Sequence, residues 1–359
     1  MIKTYQKYLI TLFLKKILNV SLIFLSLIFI LSIFEEISFF KELELSFLFL
    51  FLMTSLNAPT TLFEIFPFIF LISTQFFFLE LIEKKELDVF KVNGLNNLKI
   101  IQQLALSSLV LGIILVICFY NLSSNLKFIY LELKNSYSND NKYLAVVNEN
   151  GLWIKDEIDE KIYIINAEKI DGSLLKNVNI SEFTNDFDLI KILNSKEVNI
   201  LKNEWKILNP TVSENNITTE YENLVSLNTH FNKEKINGLF RNLKSLSIME
   251  LIKLKSDYKS LGYSTNEIES HLNRIYSYPI YLTIMVMLSS IIMLNIKRNK
   301  NKVFHILAGI SLSVLIYYFY YLSNLFGENG TLTLITSTWL PLMILTFIIL
   351  IGLVRINEK

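Results

Sequence analysis

The chain has 359 residues, 52% of them hydrophobic, and a formal net charge of +1. A soluble domain of ordinary composition is less apolar than this, so the composition favours a membrane protein. The near-neutral charge shows no basic face of the kind that a nucleic-acid-binding protein needs. Cys118 is the single cysteine, which excludes an intramolecular disulfide and a cysteine-based metal site.

The first apolar run extends from Ile17 to Phe34 and follows a basic N-terminal stretch that contains Lys3, Lys7, Lys15 and Lys16. A secretory signal has an apolar region of about 7–15 residues and a cleavage site of small residues after it. This run is longer and lacks such a site. We therefore expect a retained first transmembrane helix.

Five further apolar runs have the length of about 20 residues that a membrane-spanning helix needs. They cover residues 60–82, 100–120, 278–296, 303–322 and 331–354. Residues 46–59 are nearly as apolar, but Asn57 and Pro59 interrupt them. We interpret residues 42–58 as an interfacial or re-entrant segment that leads into the second span, because a seventh crossing would invert everything downstream.

The basic residues of the short loops fall on one side of the membrane if the chain crosses it six times. They are the N-terminal lysines, Lys84, Lys85, Lys91 and Lys99 after span two, Lys297, Arg298, Lys300 and Lys302 before span five, and Arg355 and Lys359 in the tail. Basic loops remain in the cytoplasm. Both termini are therefore predicted to be cytoplasmic.

The region between spans three and four is polar, and its apolar residues alternate in short runs such as Tyr143–Val147 and Lys161–Ile165. Turn signals separate the runs, among them residues 148–151 and Asp171-Gly172. This spacing predicts an antiparallel sandwich or jelly roll outside the cytoplasm. The expected fold class is a polytopic α-helical membrane protein of six transmembrane helices, three and three, with an inserted periplasmic β-jelly-roll domain.

The predicted domain boundaries follow from these elements. Residues 1–123 form the N-terminal transmembrane half, residues 124–265 the β domain, and residues 266–359 the C-terminal transmembrane half. No GxxxxGK[ST] loop is present, so the chain is not expected to hydrolyse ATP itself. No catalytic constellation or metal-ligand spacing stands out, and no bound cofactor is predicted.

The loop between spans two and three mixes charged and apolar residues from Glu83 to Gly94. This pattern predicts a short amphipathic helix over about 83–94, with Gly94 at its C-terminal cap. A helix held on the cytoplasmic surface between two spans could transmit the movement of a partner to both. The alternative is an ordinary solvated turn.

Glu64 is the second notable feature, because it is predicted to lie just inside span two, before Pro67. A carboxylate at membrane depth is costly and is usually paired or functional. At the interface the cost is small, and Glu64 then needs no functional explanation.

The chain resembles the LptF/LptG family, the permease subunits of the lipopolysaccharide transport ABC exporter, over nearly its whole length. The resemblance depends on the order and spacing of four pieces. They are Pro67 to Gly94 with its Lys85-Glu86-Leu87 core, Gly151-Leu-Trp-Ile-Lys-Asp156, Gly262-Tyr-Ser followed by Pro279, and Gly330 followed by Thr338-Trp-Leu-Pro341. The start at Tyr8-Leu-Ile and the final helices are more similar to LptG.

The resemblance implies a subunit of the bacterial inner membrane that pairs with a second, LptF-like or LptG-like permease around a central cavity. A dimer of the ATPase LptB would bind below and use ATP and Mg. Lipopolysaccharide would enter through a lateral gate and leave by the periplasmic domain toward LptC, a single-span periplasmic protein.

In the family, the cytoplasmic helix after span two docks in a groove on LptB. Glu86 matches the key carboxylate of that helix, and Lys85, Leu87, Val89, Phe90 and Gly94 surround it. The resemblance therefore predicts an ATPase-coupling site at these residues.

Relatives place lysines near the outer end of the first helix, where they suit lipid A phosphates. Here that region carries Ser32, Glu35 and Glu36, and its basic charge is only at Lys41. Either Lys41, Arg274 or Lys127 meets the phosphates, or the lipid differs.

The sequence alone leaves two other functional classes open. A membrane-anchored periplasmic scaffold or sensor would need neither six helices nor an amphipathic cytoplasmic elbow. A secondary transporter would place ionisable residues at mid-membrane depth or show inverted repeats.

Overall fold

A computed structural model describes most of the chain. It covers residues 3–41, 45–137, 152–158, 161–214, 217–221, 224–233, 235–236, 241–260, 263–295 and 302–357. The predicted strand at 143–147, the turn at 148–151, Gly151, Gly262, and Lys297, Arg298, Lys300 and Lys359 lie outside the described residues.

Six helices in the described part of the chain are long and apolar enough to cross a membrane, which confirms the predicted number. The first two are α1 (Thr4–Phe39) and α2 (Phe47–Glu83), followed by the short α3 (Glu86–Val92). The third spanning helix combines α4 (Asn97–Ile114), a π-helical turn (Leu115–Tyr120) and α5 (Asn121–Ser136). After the β domain come α6 (Ile248–Ser260), α7 (Asn266–Leu294), α8 (Lys302–Glu328) and α9 (Leu334–Asn357).

The re-entrant segment predicted before span two is contradicted by the structure, and the interfacial alternative stays a prediction. Helix α2 begins at Phe47 and runs without a break through Pro59 and Pro67, and the Ser46 hydroxyl caps its start by accepting from the Phe49 amide. An apolar surrounding favours a continuous helix, because a chain that leaves the helix there must expose unpaired backbone groups. Glu64 consequently lies near the middle of α2 and not at its end, and its side chain is exposed.

The helical unit comprises Met1–Tyr130 and Thr265–Lys359. Helices α2 and α7 are its most buried spanning helices, whereas α1, α8 and α9 bury only about a quarter of their apolar windows. Leu71, Tyr281, Met285 and Leu345 belong to one core where α2, α7, α8 and α9 meet. Polar contacts also join the helices, such as the hydrogen bond of 2.8 Å from the Ser289 hydroxyl to the Leu71 carbonyl. Small and polar residues of this kind hold helices together where lipid provides no hydrophobic drive.

The second unit, Leu131–Ser264, contains the β domain. Among the described residues of this unit, eight strands form one antiparallel sheet, which curls into a half-barrel inserted between the third and fourth spanning helices. The strands are β1 (Leu152–Ile158), β2 (Lys161–Asp171), β3 (Leu174–Thr184), β4 (Leu189–Asn199), β5 (Glu204–Leu208), β6 (Thr211–Glu214), β7 (Ile217–Glu220) and β8 (Val225–Asn228). The inserted antiparallel β domain predicted from the alternating runs is therefore confirmed.

Inward-facing residues alternate along the strands and form the core of this domain. In β1, Leu152, Ile154 and Asp156 are buried while the residues between them are exposed. Trp205 of β5 is completely buried, and its indole nitrogen donates to the Phe231 carbonyl at 2.7 Å. A buried indole needs such a partner, so this bond fixes the segment after β8 against the sheet.

Asp156 explains why an acidic residue ends the Gly-Leu-Trp-Ile-Lys-Asp piece. Its carboxylate accepts hydrogen bonds from the Thr229 hydroxyl (2.6 Å), the His230 amide (3.0 Å) and His230 Nδ1 (2.8 Å). A carboxylate buried without such donors would be costly. Asp156 therefore ties β1 to the segment that follows β8.

Candidate functional site

The turn between α2 and α3 contains only Lys84 and Lys85. Helix α2 ends because Lys85 adopts a left-handed conformation with φ of 59°, after which α3 begins at Glu86. The Lys85 amide bonds to the Ile82 carbonyl, and the Lys85 carbonyl accepts from the Val89 amide. Both residues of the turn are thus hydrogen-bonded to the flanking helices, so α3 is attached to α2 by a short and ordered link.

The end of α3 has the geometry of a Schellman cap. Gly94 has φ of 81°, its amide donates to the Lys91 carbonyl, and the Leu95 amide donates to the Phe90 carbonyl. The predicted helix is therefore present, it is shorter than 83–94, and Gly94 terminates it as expected. An ordinary solvated turn would contain no such helix.

The side chains of α3 fall on two faces. Leu87 is buried, which anchors the helix to the transmembrane unit, and Phe90 is half-buried. Val89 and Val92 point outward, with 58% and 88% of their surface exposed. Two exposed valines on one short helix form an apolar surface that could pack against a partner.

Glu86 is half-buried in the first turn of α3. Its Oε2 accepts a hydrogen bond of 2.6 Å from the hydroxyl of Tyr8, which lies on α1. The same tyrosine ring lies 6.3 Å from the ring of Phe90. Glu86 and Phe90 are four residues apart, so both lie on the face of α3 that meets Tyr8.

Glu80 forms a second charged cluster, at the end of α2. Its two carboxylate oxygens contact Lys16 Nζ of α1 at 2.5 Å and Lys84 Nζ at 2.6 Å. The hydrogen bond that Lys84 donates to the Glu80 carboxylate raises the pKa of the Lys84 ammonium. One glutamate therefore joins α1, α2 and the turn that carries α3.

The three candidate lipid-binding cations have different environments. Lys41 is exposed in the turn after α1. Lys127 donates to Asn57 Oδ1 at 2.7 Å and lies 4.6 Å above the ring of Tyr130. Arg274 Nη2 pairs with Glu328 Oε1 at 2.8 Å, so part of its charge is already neutralised within the helical unit.

Glu36 provides the physical reason for an acid near the C-terminal end of α1. Its side chain is buried and accepts a 2.6 Å hydrogen bond from the hydroxyl of Tyr130. This glutamate therefore serves packing between α1 and α5. It does not by itself indicate a lipid contact.

Two residues near Glu86 were not among the predicted site residues. Val92 could have been found, because it is apolar and belongs to the amphipathic pattern of the loop. Tyr8 could not, because 78 positions separate it from Glu86 and only the packing of α1 on α2 brings them together.

A comparison with known protein families agrees with the resemblance. A family model of the lipopolysaccharide export system permease LptF/LptG matches residues 7–355, nearly the full chain. The match covers LptF and LptG together, so the preference for LptG stays a prediction. No curated protein matches the sequence. With six spanning helices, an inserted β domain and a match of this length, the chain belongs to the LptF/LptG family of lipopolysaccharide export permeases.

Proposed function

We propose that this chain is one of two permease subunits of an ATP-driven exporter that extracts lipopolysaccharide from the bacterial inner membrane. The observation that carries the proposal is α3, a short helix fixed to the end of α2 with Glu86 at its start and two exposed valines. Membership of the family indicates that the cargo is lipopolysaccharide. Helix α3 is the place where a separate ATPase would act.

The proposed orientation puts both termini and α3 in the cytoplasm. Lys3, Lys7, Lys15 and Lys16 lie near the start of α1, Lys84, Lys85 and Lys91 lie at or near α3, and Arg355 lies at the end of α9. Basic residues at these helix ends favour the cytoplasmic side. The β domain then lies in the periplasm, where it would receive the lipid and pass it to a single-span partner of the LptC type.

The proposed docking surface consists of Glu86, Val89, Val92 and the half-buried Phe90. An exposed apolar pair beside a carboxylate suits a groove with an apolar floor and a basic residue at its rim. Leu87 would hold α3 in place from the other side. ATP and Mg would be used by the ATPase, which this subunit would contact through α3.

The extraction of lipid would depend on the exposed apolar faces of the spanning helices. Helix α1 exposes Leu18, Leu22, Ile30 and Phe34, and α8 and α9 expose comparable surfaces. A second permease subunit would close a cavity against some of these faces, and acyl chains would contact the rest. We do not assign individual side chains to the lipid.

The test is co-purification of the chain from its own membranes, followed by mass spectrometry of bound proteins and lipids. We expect a cytoplasmic ATPase, a second permease of the same family and lipopolysaccharide to be recovered together. Recovery of the permease with periplasmic proteins alone, and with no ATPase after cross-linking, would favour the scaffold or sensor class instead.

A further inference from the structure

Tyr8 occupies a particular place between α1 and α3. Its hydroxyl donates to Glu86 Oε2 at 2.6 Å, and its ring contacts Phe90. One α1 side chain thereby meets both half-buried residues of α3. Among the described residues, the Tyr8–Glu86 bond is the hydrogen bond that joins these two helices.

Helix α1 lies at the edge of the helical unit. It packs along α2 and touches α4, while most of its remaining surface is apolar and exposed. The other polar contacts near its start run to neighbours other than α3. Gln6 donates to Gln103 of α4 at 3.1 Å, and Lys16 contacts Glu80 of α2 at 2.5 Å.

The chemistry of the Tyr8–Glu86 bond allows it to persist while Glu86 binds a partner. A carboxylate offers about four acceptor positions on two oxygens, and Tyr8 uses one of them. A cation from a docked protein could contact the other oxygen. A hydrogen bond from a hydroxyl to a carboxylate is also stronger than one between neutral groups.

We propose that Tyr8 is a positioning residue that transmits displacement of α3 to α1 through its hydrogen bond to Glu86. The inference rests on the proposed function, because it takes α3 as the place where an ATPase acts. When α3 moves, the bond and the ring contact pull the start of α1 along with it. The long apolar face of α1 then shifts, and with it the surface presented to lipid.

A purely structural role for Tyr8 makes a different prediction. If the ring only fills space beside Phe90, removal of the hydroxyl changes little. If the hydroxyl transmits movement, Tyr8→Phe keeps the ring and the packing but breaks the link to Glu86. Tyr5→Phe is the matched control, because Tyr5 lies on the same helix and no hydrogen bond among the described residues joins it to α3.

The experiment reconstitutes the complete exporter in vesicles that contain lipopolysaccharide, and it measures ATPase binding, ATP hydrolysis and lipopolysaccharide released per ATP. For Tyr8→Phe we expect binding and hydrolysis within about twofold of the unmodified protein. We expect release per ATP to fall about fivefold or more, a typical coupling effect. Tyr5→Phe should match the unmodified protein in all three measurements.

A second measurement reports movement without transport. Spin labels at Lys15 of α1 and Lys91 of α3, both exposed, are placed in a Cys118→Ser background. With Tyr8 present, the distance between the labels should stay narrowly distributed when ATP analogues close the ATPase. With Tyr8→Phe the distribution should broaden, because α3 then moves without α1.

The outcomes separate this inference from the proposed function. Normal release per ATP in Tyr8→Phe, or an unchanged distance distribution, would overturn the role of Tyr8. Loss of ATPase binding in Tyr8→Phe would overturn it too, since the hydroxyl would then serve docking. If instead Glu86→Ala left both binding and release unchanged, the docking role of α3 would fail.

Discussion

Gln75 of α2 fills the space directly beside Gly309 of α8. A Cβ atom at Gly309 would lie 1.9 Å from Gln75 Nε2, and that nitrogen donates to the backbone carbonyls of His305 and Ile306 on the same helix. The amide of one helix therefore lies in a gap that only glycine leaves open on the other. Close packing of α2 on α8 depends on this pair.

Gly309→Ala should therefore separate α8 from α2. The added methyl overpacks a tight contact, which typically costs about 1–3 kcal/mol. Thermal unfolding of the purified chain in detergent should shift downward. The double variant with Gln75→Ala should recover much of the loss, because it clears the space. A double variant as unstable as the sum of the two single variants would show that the pair is not in contact.

Asp156→Ala should loosen the β domain at the segment after β8. The change leaves the buried Thr229 hydroxyl and the His230 amide without their acceptor, which costs about 1–3 kcal/mol or more. Hydrogen exchange over residues 225–233 should accelerate. Glu157→Ala, at the next and exposed position, is the control. Equal protection of residues 225–233 from hydrogen exchange in the two variants would show that Asp156 does not hold this segment against β1.

Glu182 should make the stability of the β domain depend on pH. Burial raises the pKa of this carboxyl, but hydrogen bonds and charge from Lys161 and Lys191 outweigh that effect and hold the pKa below its usual value. Because the pKa of Glu182 is lower in the folded than in the unfolded protein, its carboxylate stabilises the fold at pH values above the unfolded-state pKa. This stabilisation is lost as the pH falls through the folded-state pKa.

The corresponding measurement is denaturant unfolding of the β domain, followed by its tryptophan fluorescence, between pH 7 and pH 3. The unmodified protein should lose stability toward the acid end of this range, whereas Glu182→Gln should be less stable at pH 7 and lose less on acidification. A slope with pH that is identical in both proteins would show that Glu182 does not carry the effect.

Lys85 should act through its backbone and not through its charge. A left-handed conformation costs an L-residue roughly 1–2 kcal/mol, and glycine adopts it freely. Lys85→Gly should therefore keep ATPase binding within about twofold, while Lys85→Val should weaken it because a β-branched residue fits this conformation poorly. Pull-down titration of the ATPase compares the two. A tenfold loss in Lys85→Gly would show that the ammonium itself contacts the partner.

The sequence was sufficient for features that depend on local pattern. Six apolar runs of spanning length predicted six helices, and Gly94 predicted the end of α3, since glycine adopts a left-handed cap without strain. The β domain followed from alternation and turn residues between the third and fourth spans. In each case neighbouring residues alone carry the physical signal.

The start of α2 was the local prediction that failed. Asn57 and Pro59 usually interrupt a helix in water, but inside an apolar helical unit the cost of leaving backbone groups unpaired is larger than the cost of one proline. The same error placed Glu64 near the end of its helix. The contacts of Tyr8 with Glu86 and of Glu36 with Tyr130 were missed because each joins distant parts of the chain. A single sequence contains no signal for such pairs.

The proposed coupling to an ATPase depends most on Glu86. The most direct test compares Glu86→Ala with Asp88→Ala, an exposed acid in the same turn of α3, in the reconstituted exporter, and it measures lipopolysaccharide released per ATP hydrolysed. We predict that Glu86→Ala abolishes or strongly reduces release while the chain folds and assembles with its second permease, and that Asp88→Ala has little effect. Full release in Glu86→Ala would contradict the account.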